Sequence, residues 1–548
     1  MKAPTEVPPQ KLHVTVSLST TQPLKNIYSP THSLSIHRAK PTRADVSFEG
    51  GADDFQQNVA LYYSTDTQAV DVNLLTFRDS DEDGFFLLTL SPGLPDVSDE
   101  GNKSFVFVLD TSGSMSGDKL DQAKGALNFV LSHLKSGDRF DIVSFSSDVH
   151  TFADGPVSAD SDTLARAHKF VDRLEALGGT NISDALSTAL KMEGPRALPR
   201  YIVFLTDGQP TEGERDIGAI LDGVKRSQGQ TDSKARIFVF GVGDDVNVLF
   251  LDRLAQANGG ISDYVQPQEN IETKVSALYT RIQSPVLTSP DLDFPGLDIY
   301  DVYPTGLTDL FAGSQVVITG RYGHSGKGSV RLKGLLKNRS REFTFPVNFP
   351  TMDDDRPFIP RIWATQKIGH LLDEIRLKGE TPELVESVKS LSRKYGILTP
   401  YTAFLVQEPG TPMPVANESV RAMGGSFAAG GGGGGYEFPA PPPAPTGAAA
   451  QKASADIRAL KEAGQAASGA SNSVRVVQNR TFYLRNGRWE QAEYKDQPTR
   501  KIQFLSEEYF ELLAKHEELK DVLALGDQVV FFLGKDCIEV IPENSGGK

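Results

Sequence analysis

Cysteine is almost absent from this sequence. Its 548 residues include only one, Cys537. No disulfide can form within the chain, so its stability must come from packing or from a bound metal. A single thiol at the end of an apolar run is typical of a small core residue rather than of a nucleophile.

Long uncharged apolar runs are also missing. None reaches the roughly 18 residues that a membrane-spanning helix needs. The first segment, Met1–Glu6, lacks the apolar core of a signal peptide. We therefore predict no direct membrane span, and we expect either a cytosolic protein or a natural N-terminus upstream of Met1.

Positive charge is in deficit. Lys and Arg number 56 against 71 Asp and Glu, which gives a formal net charge of -15. An acidic surface repels phosphates, so we predict no nucleic-acid partner. The histidines show no spacing of the HxH or HExxH kind that a zinc site needs. The sequence also contains no GxSxG nucleophile elbow.

The length predicts three or four units, at roughly 150 residues per domain. Residues 1–100 alternate apolar with polar side chains between Pro and Gly clusters, which is typical of half-buried antiparallel β-strands. Residues 101–285 alternate apolar strands with amphipathic helices, which predicts an α/β unit with a doubly wound, mostly parallel sheet. In residues 286–410 the strand pattern returns with two amphipathic helices and a last strand over Tyr401–Val406. We expect this part to pack back on the first segment.

The C-terminal part changes in composition. Residues 411–472 are rich in Gly, Pro and Ala, which predicts a linker. Within it, Ser454–Ala463 predicts a short isolated helix. Residues 473–548 predict a small α+β module with a tight hairpin turn at Asn486-Gly487 and one helix over Phe510–Leu523.

Oxygen-bearing side chains follow two of the buried strands. Asp110 ends the first of these strands and opens the loop Asp110-Thr111-Ser112-Gly113-Ser114, while Asp207 ends the strand Tyr201–Leu205. Ligands of an open α/β sheet lie beyond the carboxyl ends of its strands. We therefore expect these loops to converge, together with a third loop that carries a hydroxyl just before a helix. The candidate metal ligands are Asp110, Ser112, Ser114, Thr180 and Asp207.

These five side chains offer only oxygen, which hard divalent cations prefer; Mg²⁺ is the first choice, with Mn²⁺ or Ca²⁺ as alternatives. Gly113 is expected to permit the tight turn that brings its neighbours to one side. Two carboxylates that act partly through water leave the cation electrophilic, with an open position for an Asp or Glu of a protein partner. No His or Glu stands beside the site as a base, so we predict a binding device and no enzyme.

The ordered set Asp110-x-Ser112-x-Ser114, Thr180 and Asp207 resembles the metal-ion-dependent adhesion site of von Willebrand factor A (VWA) domains, as in integrins. The flanking sequence is similar to inter-alpha-trypsin inhibitor heavy chains, and most similar to bacterial relatives that pair a VIT with a VWA domain. The resemblance covers roughly residues 11–410. Outside the metal motif it rests on Ser29-Pro30-Thr31-His32, Leu61–Ser64, Asp83–Pro92, Arg361–Ala364, Leu371–Ile375 and Tyr395–Thr402.

The resemblance implies a Rossmann-like VWA domain inserted between β-rich, sandwich-like segments. It also implies a metal-dependent adhesion or scaffolding function and a secreted or cell-envelope location. The VIT domain itself is expected to be missing, because Met1 falls just after its usual place. Vertebrate heavy chains carry an Asp-Pro-His motif for covalent transfer to a glycosaminoglycan; the motif is absent from this sequence, so that activity is not implied. The partner and the oligomeric state stay open.

Two other functions stay open as alternatives. The chain could be a structural component of a cell envelope or assembly in which the metal site is not essential. A hydrolase or phosphatase is the remote alternative, because a strand ending in Asp110 resembles haloacid dehalogenase-type phosphatases; their second Asp is replaced by Ser112. The segment Gly320–Lys327 resembles a phosphate-binding loop, but its glycine spacing is off by one and Gly328 stands where Ser or Thr is needed.

Overall fold

The computed structural model describes most of the chain. Of the strand predicted over Tyr401–Val406, only the first two residues are described, and the rest lies outside the described residues. The glycine- and proline-rich part of the predicted linker also lies outside the described residues. The described residues are 12–20, 22–29, 32–50, 61–65, 70–79, 82–92, 102–195, 198–207, 209–231, 234–243, 245–266, 269–282, 285–311, 314–336, 339–402, 446–465, 474–477 and 480–542.

The elements follow one another in four groups. The first group is β1 (Leu12–Ser19), β2 (Leu24–Tyr28), β3 (Ser35–Lys40), β4 (Arg43–Gly50), β5 (Tyr62–Thr65), β6 (Val70–Phe77) and β7 (Gly84–Pro92). The second is β8 (Ser104–Asp110), α1 (Asp118–His133), β9 (Arg139–Phe145), β10 (Val149–Thr151), β11 (Val157–Ser158), α2 (Ser161–Asp172), α3 (Ile182–Lys191), β12 (Arg200–Thr206), α4 (Ile217–Gly229), β13 (Arg236–Val242), α5 (Val248–Ala257), β14 (Ser262–Val265) and α6 (Ile271–Ile282). The third is β15 (Pro285–Asp293), β16 (Ile299–Tyr303), β17 (Leu310–Phe311), β18 (Val316–Tyr322), β19 (Gly326–Leu336), β20 (Arg339–Phe349), α7 (Ile359–Lys378) and α8 (Pro382–Tyr395). The last is α9 (Ala448–Lys461), β21 (Val474–Val477), β22 (Arg480–Arg485), β23 (Arg488–Gln491), β24 (Arg500–Gln503), α10 (Glu507–Lys515), α11 (Lys520–Leu523), β25 (Val529–Leu533) and β26 (Asp536–Ile541).

The second group forms a twisted sheet with helices on both faces. Its strand order is β10-β9-β8-β12-β13-β14, and β11 also pairs with β9. The contacts between β8, β9, β12, β13 and β14 are parallel, whereas β10 and β11 run antiparallel to β9. Every residue of β8 and β12 is buried, because a strand covered on both faces has no solvent side. The predicted doubly wound, mostly parallel sheet is confirmed.

The β-strands on either side of this α/β unit share one sheet. Its order is β16-β18-β7-β6, so the antiparallel pair β18–β7 joins strands from before and after the unit. A second sheet, β17-β15-β19-β20, faces it across a core that includes Phe86, Ile318 and Val330. Helix α7 covers the other face of the first sheet, where the Trp363 ring meets that of Phe85 edge-on at 5.2 Å. The α/β unit is thus inserted between β-rich, sandwich-like segments, as expected.

The helix predicted inside the linker exists, but the prediction that it is isolated is wrong. Helix α9 packs against α5 and α7. Ala450 joins the apolar core of the α/β unit and Ile457 joins the core beneath α7. Ser454 Oγ donates to Asp252 Oδ2 at 2.7 Å, and Lys461 Nζ lies 2.6 Å from Asp373 Oδ2. Much of the docking is polar, so apolar periodicity gave little sign of it.

The C-terminal module has a sheet of order β21-β22-β23-β25-β26-β24. Asn486 and Gly487 have φ of 50° and 78°, the left-handed pair that the predicted tight hairpin requires. The single helix predicted over Phe510–Leu523 is wrong: α10 and α11 are separate, with a 3₁₀ turn over Glu517–Leu519. The break turns the second half so that Leu519 and Val522 are buried.

Candidate functional site

The candidate site lies where the strand order of the central sheet reverses. From β8 the chain continues to β9 on one side and later returns to β12 on the other. Asp110 is the last residue of β8, and Asp207 directly follows β12. The two strands are parallel neighbours, with Leu109 opposite Leu205. The loops beyond such a reversal form the crevice in which open α/β sheets bind ligands.

Hydrogen bonds connect four of the five predicted ligands. Asp110 Oδ1 accepts from the backbone N–H of Ser112 at 2.9 Å. The Ser112 and Ser114 hydroxyl oxygens lie 3.0 Å apart, and Ser114 Oγ donates to Asp207 Oδ1 at 2.8 Å. Asp110, Ser112 and Asp207 are buried, whereas Ser114 is exposed. The result is a row of oxygen atoms that reaches the surface at Ser114 and is buried at both ends, at Asp110 and at Asp207.

Thr180, the fifth predicted ligand, sits in a loop that is fastened to this row through the backbone. Gly113 N–H donates to the Gly178 carbonyl at 3.0 Å, and Leu177 N–H donates to the Thr111 carbonyl at 2.9 Å. Thr180 is 3% exposed, and its N–H donates to Thr211 Oγ1 at 2.8 Å. Both loops therefore meet at the same edge of the sheet.

The reason given above for Gly113 is wrong. Its φ does not lie in the left-handed region, and a Cβ there would meet only the Gly178 carbonyl oxygen, at an ordinary 3.5 Å. The left-handed glycines nearby are Gly117, with φ of 79° before α1, and Gly178, with φ of 84°. A Cβ on Gly178 would lie 3.0 Å from Ser147 Oγ. The turns that favour glycine are thus in the Thr180 loop and directly before α1.

Burial dominates the electrostatics of Asp110. The side chain is fully buried, and desolvation raises its pKa from 3.8 to about 6, with a smaller contribution from the charge of Asp207. Hydrogen bonds from Ser112 and Thr206 favour the carboxylate and oppose that rise; Thr206 Oγ1 donates to Asp110 Oδ2 at 2.6 Å. A carboxylate held in this way gains much from a cation placed beside it.

Lys119 is a residue at the candidate site that the sequence did not indicate. Its Nζ donates to Asp207 Oδ2 at 2.6 Å, and its side chain is 35% exposed. The lysine stands on the first turn of α1, in Asp118-Lys119-Leu120, where it looks like an ordinary solvated charge. Only the fold brings it to a carboxylate 88 residues away. It neutralises Asp207 and leaves Asp110 without an ion-pair partner among the described residues.

The donor set fits a hard divalent cation. Two carboxylates and three hydroxyls provide oxygen alone, the chemistry that Mg²⁺, Mn²⁺ and Ca²⁺ prefer. Within the described ranges, no group of three or more His, Cys, Asp or Glu is placed to hold a metal ion. The negative charge of Asp110, buried and unpaired by any described cation, is the observation that a bound cation would explain.

Two other sequence features have no place in this site. Gly320–Lys327 spans the end of β18, the turn and the start of β19; it does not lead into a helix, so the likeness to a phosphate-binding loop ends there. Cys537 lies on β26 and is buried, and burial raises the pKa of its thiol. It is a core residue, as predicted. No helix in the described part of the chain is long and apolar enough to span a membrane.

Comparison with known proteins gives the fold a family. Residues 103–264 match the family model described as von Willebrand factor type A domain, so the chain contains a VWA domain. It is 31% identical over 349 residues to inter-alpha-trypsin inhibitor heavy chain H3 of Bos taurus, covering 60% of this chain and 38% of that protein. It is 28% identical to heavy chain H4 of Homo sapiens, covering 60% and 37%. The chain thus spans well under half the length of these relatives.

The von Willebrand factor type A protein from Catenulispora acidiphila aligns with 74% of this chain and 99% of its own, at a TM-score of 0.46 and 15% identity.

Proposed function

We propose that the VWA domain of this chain is a metal-dependent protein-binding module and not an enzyme. Asp110, Ser112, Ser114, Thr180 and Asp207 hold one divalent cation, with Mg²⁺ preferred over Mn²⁺ and Ca²⁺. The cation keeps a position open, and a carboxylate from an Asp or Glu of a partner protein fills it. When bound, the metal supplies a Lewis-acidic centre that attracts this carboxylate.

The observation that carries the proposal is the state of Asp110. Its carboxylate is fully buried at the carboxyl end of β8, has a pKa raised to about 6 and makes no ion pair with a described residue. Burying such a charge without compensation is costly. The hydroxyls of Ser112 and Ser114 extend from it toward solvent, which is the arrangement that a cation bound at the surface end requires.

Lys119 favours a second candidate, a structural component whose metal site is not essential. Its ammonium group at 2.6 Å from Asp207 Oδ2 already supplies one positive charge to the site. A domain in which this ion pair suffices would fold and assemble without metal. The two candidates differ in one measurable property, which is whether a divalent cation creates affinity for carboxylates.

Calorimetry can test the proposal on the full chain. Protein stripped with EDTA is titrated with Mg²⁺, and then with a peptide that carries one Asp among Gly and Ser residues. We expect one metal per chain and peptide binding only when the metal is present. Asp110→Asn should abolish both. The control is Asp141→Asn, because Asp141 is equally buried in the same domain and its pKa is also raised to about 6.

The outcomes separate the candidates. Asp141→Asn should bind metal and peptide like the wild type, since Asp141 lies on β9 and its Oδ1 accepts from the backbone of Ile142 and Ala153. A wild-type protein that binds no divalent cation would support the structural candidate and overturn the proposal. Hydrolysis that depends on Asp110, in a screen of phosphate and acyl esters, would instead support an enzyme.

A further inference from the structure

A basic groove lies on the side of the VWA domain. It has a volume of about 510 Å³ and runs between α2 and the edge strand β10. Its charged side chains are all basic or histidine, namely His150, Arg166, Lys169 and Arg173. This groove stands out on a chain whose net charge is -15.

Helix geometry aligns these charges into a ladder. Arg166, Lys169 and Arg173 are spaced by three and four residues on α2, so they share one face of the helix. At 1.5 Å per residue the ladder is roughly 10 Å long. Its floor is apolar: the rings of Phe152 and Phe170 pack edge-on at 5.7 Å.

These four side chains are exposed to solvent. None of the four makes an ion pair within 4 Å with a described residue. The guanidinium of Arg166 lies 5.7 Å from the centre of the Phe152 ring. Of the acidic residues near the helix, Asp172 faces away, since its Oδ1 accepts from Asn128 on α1. Asp160 and Asp162 lie at the N-terminal end of the ladder, where hydrogen bonds from Thr163 and, to a smaller extent, the charge of Arg166 lower the pKa of Asp160. Elsewhere in the domain, Lys119 and Arg236 are paired with Asp207 and Asp309.

The groove and the metal site are neighbours. His150 pairs with Ser144 on β9, one register step from Phe145, which lies opposite Asp110. Since adjacent strands are about 4.8 Å apart, His150 is roughly 10 Å from the end of β8. On the helix side, α2 ends next to Arg173, and the chain then runs directly into the Thr180 loop. Leu177, which is 76% exposed, lies on that path.

We propose that this groove receives the acidic continuation of the same partner segment whose carboxylate binds the metal. The inference rests on the proposed function and adds the chemistry of the partner: an extended protein segment with several Asp or Glu. One carboxylate completes the metal site, and the following ones meet the ladder from Arg173 toward Arg166. Leu177 lies between the two parts and can contact an apolar side chain of the segment.

The distances set the spacing of the partner's acidic residues. An extended chain covers about 3.3 Å per residue. The lateral step of roughly 10 Å from the metal site to the groove therefore takes about three residues, and the ladder takes about three more. We expect acidic residues three to six positions away from the one that binds the metal.

Two labelled peptides test this on the full chain by fluorescence anisotropy. The first carries one Asp among Gly and Ser; in the second, the third to sixth residues after that Asp are Glu. In Mg²⁺ at low salt, the second should bind wild type roughly tenfold more tightly, since exposed ion pairs contribute modestly but several act together. The advantage should shrink at high salt because exposed charges are screened.

The decisive variant is the triple change Arg166→Gln, Lys169→Gln and Arg173→Gln. It should remove the advantage of the acidic peptide and leave Mg²⁺-dependent binding of the single-Asp peptide unchanged. The matched control changes three exposed basic residues of α3 and α4 and lowers the net charge equally: Lys191→Gln, Lys225→Gln and Arg226→Gln. It should keep the advantage.

The outcomes distinguish the inference from the proposal on which it rests. The proposed role of the groove is overturned if the triple variant keeps the tenfold advantage of the acidic peptide. It is also overturned if the control variant loses that advantage to the same extent. A wild type that binds neither peptide in a Mg²⁺-dependent manner overturns the proposed function and the inference with it. Loss of the advantage with intact single-Asp binding supports both.

Discussion

Replacing Asp110 by Asn should stabilise the metal-free protein and remove its response to metal. The carboxylate is fully buried, and its folded-state pKa is raised from 3.8 to about 6. At 1.36 kcal/mol per pKa unit, the ionised group destabilises the fold by about 3 kcal/mol. The sign follows from linkage. Below pH 3.8 Asp110 is protonated in both the folded and the unfolded protein, so it costs no stability. The loss of stability grows between pH 3.8 and 6 and is complete above pH 6.

The isosteric amide suits the pocket. Its oxygen can accept from the Ser112 N–H and its amino group can donate to Thr206 Oγ1, in place of the hydrogen bonds that Asp110 now accepts from these two groups. In EDTA at pH 8, a gain of about 3 kcal/mol corresponds to a rise in Tm of roughly 6–12 °C for a unit of 150–250 residues. At pH 3.5 the difference should vanish.

Metal should nearly remove this difference in stability. A cation at a hundred times its Kd stabilises the wild type by about 2.7 kcal/mol, which nearly offsets the penalty. Asp110→Asn should show no such shift, whereas Asp141→Asn should keep it. Differential scanning calorimetry in EDTA and in Mg²⁺ measures both effects. The reasoning is refuted if Asp110→Asn is less stable than wild type in EDTA at pH 8, or if Mg²⁺ raises its Tm as much as that of wild type.

Three further predictions concern neighbouring contacts. Lys119→Met should tighten Mg²⁺ binding several-fold in calorimetry, because it removes a positive charge 2.6 Å from Asp207. Lys191→Met, at an exposed lysine, is the control. Equal Mg²⁺ affinities of Lys119→Met and wild type would contradict the role of Lys119. Thr180→Val keeps the side-chain shape but removes a hydroxyl, so it should weaken Mg²⁺ binding about tenfold. Its Tm in EDTA should stay close to that of wild type. An unchanged Mg²⁺ affinity would remove Thr180 from the ligand set. Arg376→Met should cost about 3–5 kcal/mol in urea unfolding, because it leaves the buried Asp252 carboxylate without a described ion-pair partner and leaves Asp373 with Lys461 alone. A loss below about 1 kcal/mol would show that this ion-pair network does not hold α7 to the VWA domain.

The central sheet could be predicted from sequence because its signal is local. Strands β8 and β12 are continuous apolar runs, and each is followed directly by an Asp. The rule that ligands lie beyond the carboxyl ends of strands then brought Asp110 and Asp207 together. The hydrogen bonds from Ser112 through Ser114 to Asp207 agree with that prediction. Spacing within one loop and order along the chain were sufficient to predict that these side chains lie close together; that they bind a metal stays a prediction.

The parts that sequence reasoning missed depend on contacts between distant residues. Lys119 pairs with Asp207 only because α1 begins beside the end of β12. Helix α9 docks largely through polar groups such as Gln451, which donates to the Gly243 carbonyl, so its pattern looked like that of a linker. The break between α10 and α11 occurs without Pro or Gly, where tertiary packing outweighs local helix propensity.

The most direct test of the open coordination position uses Mn²⁺ as a paramagnetic probe. Water-proton relaxation is measured during a Mn²⁺ titration of the full chain, and then as the single-Asp peptide is added. The account predicts one Mn²⁺ per chain with enhanced relaxation from exchanging water, a fall in that enhancement when the peptide carboxylate displaces the water, and neither effect in Asp110→Asn. Enhancement that the peptide leaves unchanged, or that persists in Asp110→Asn, would contradict it.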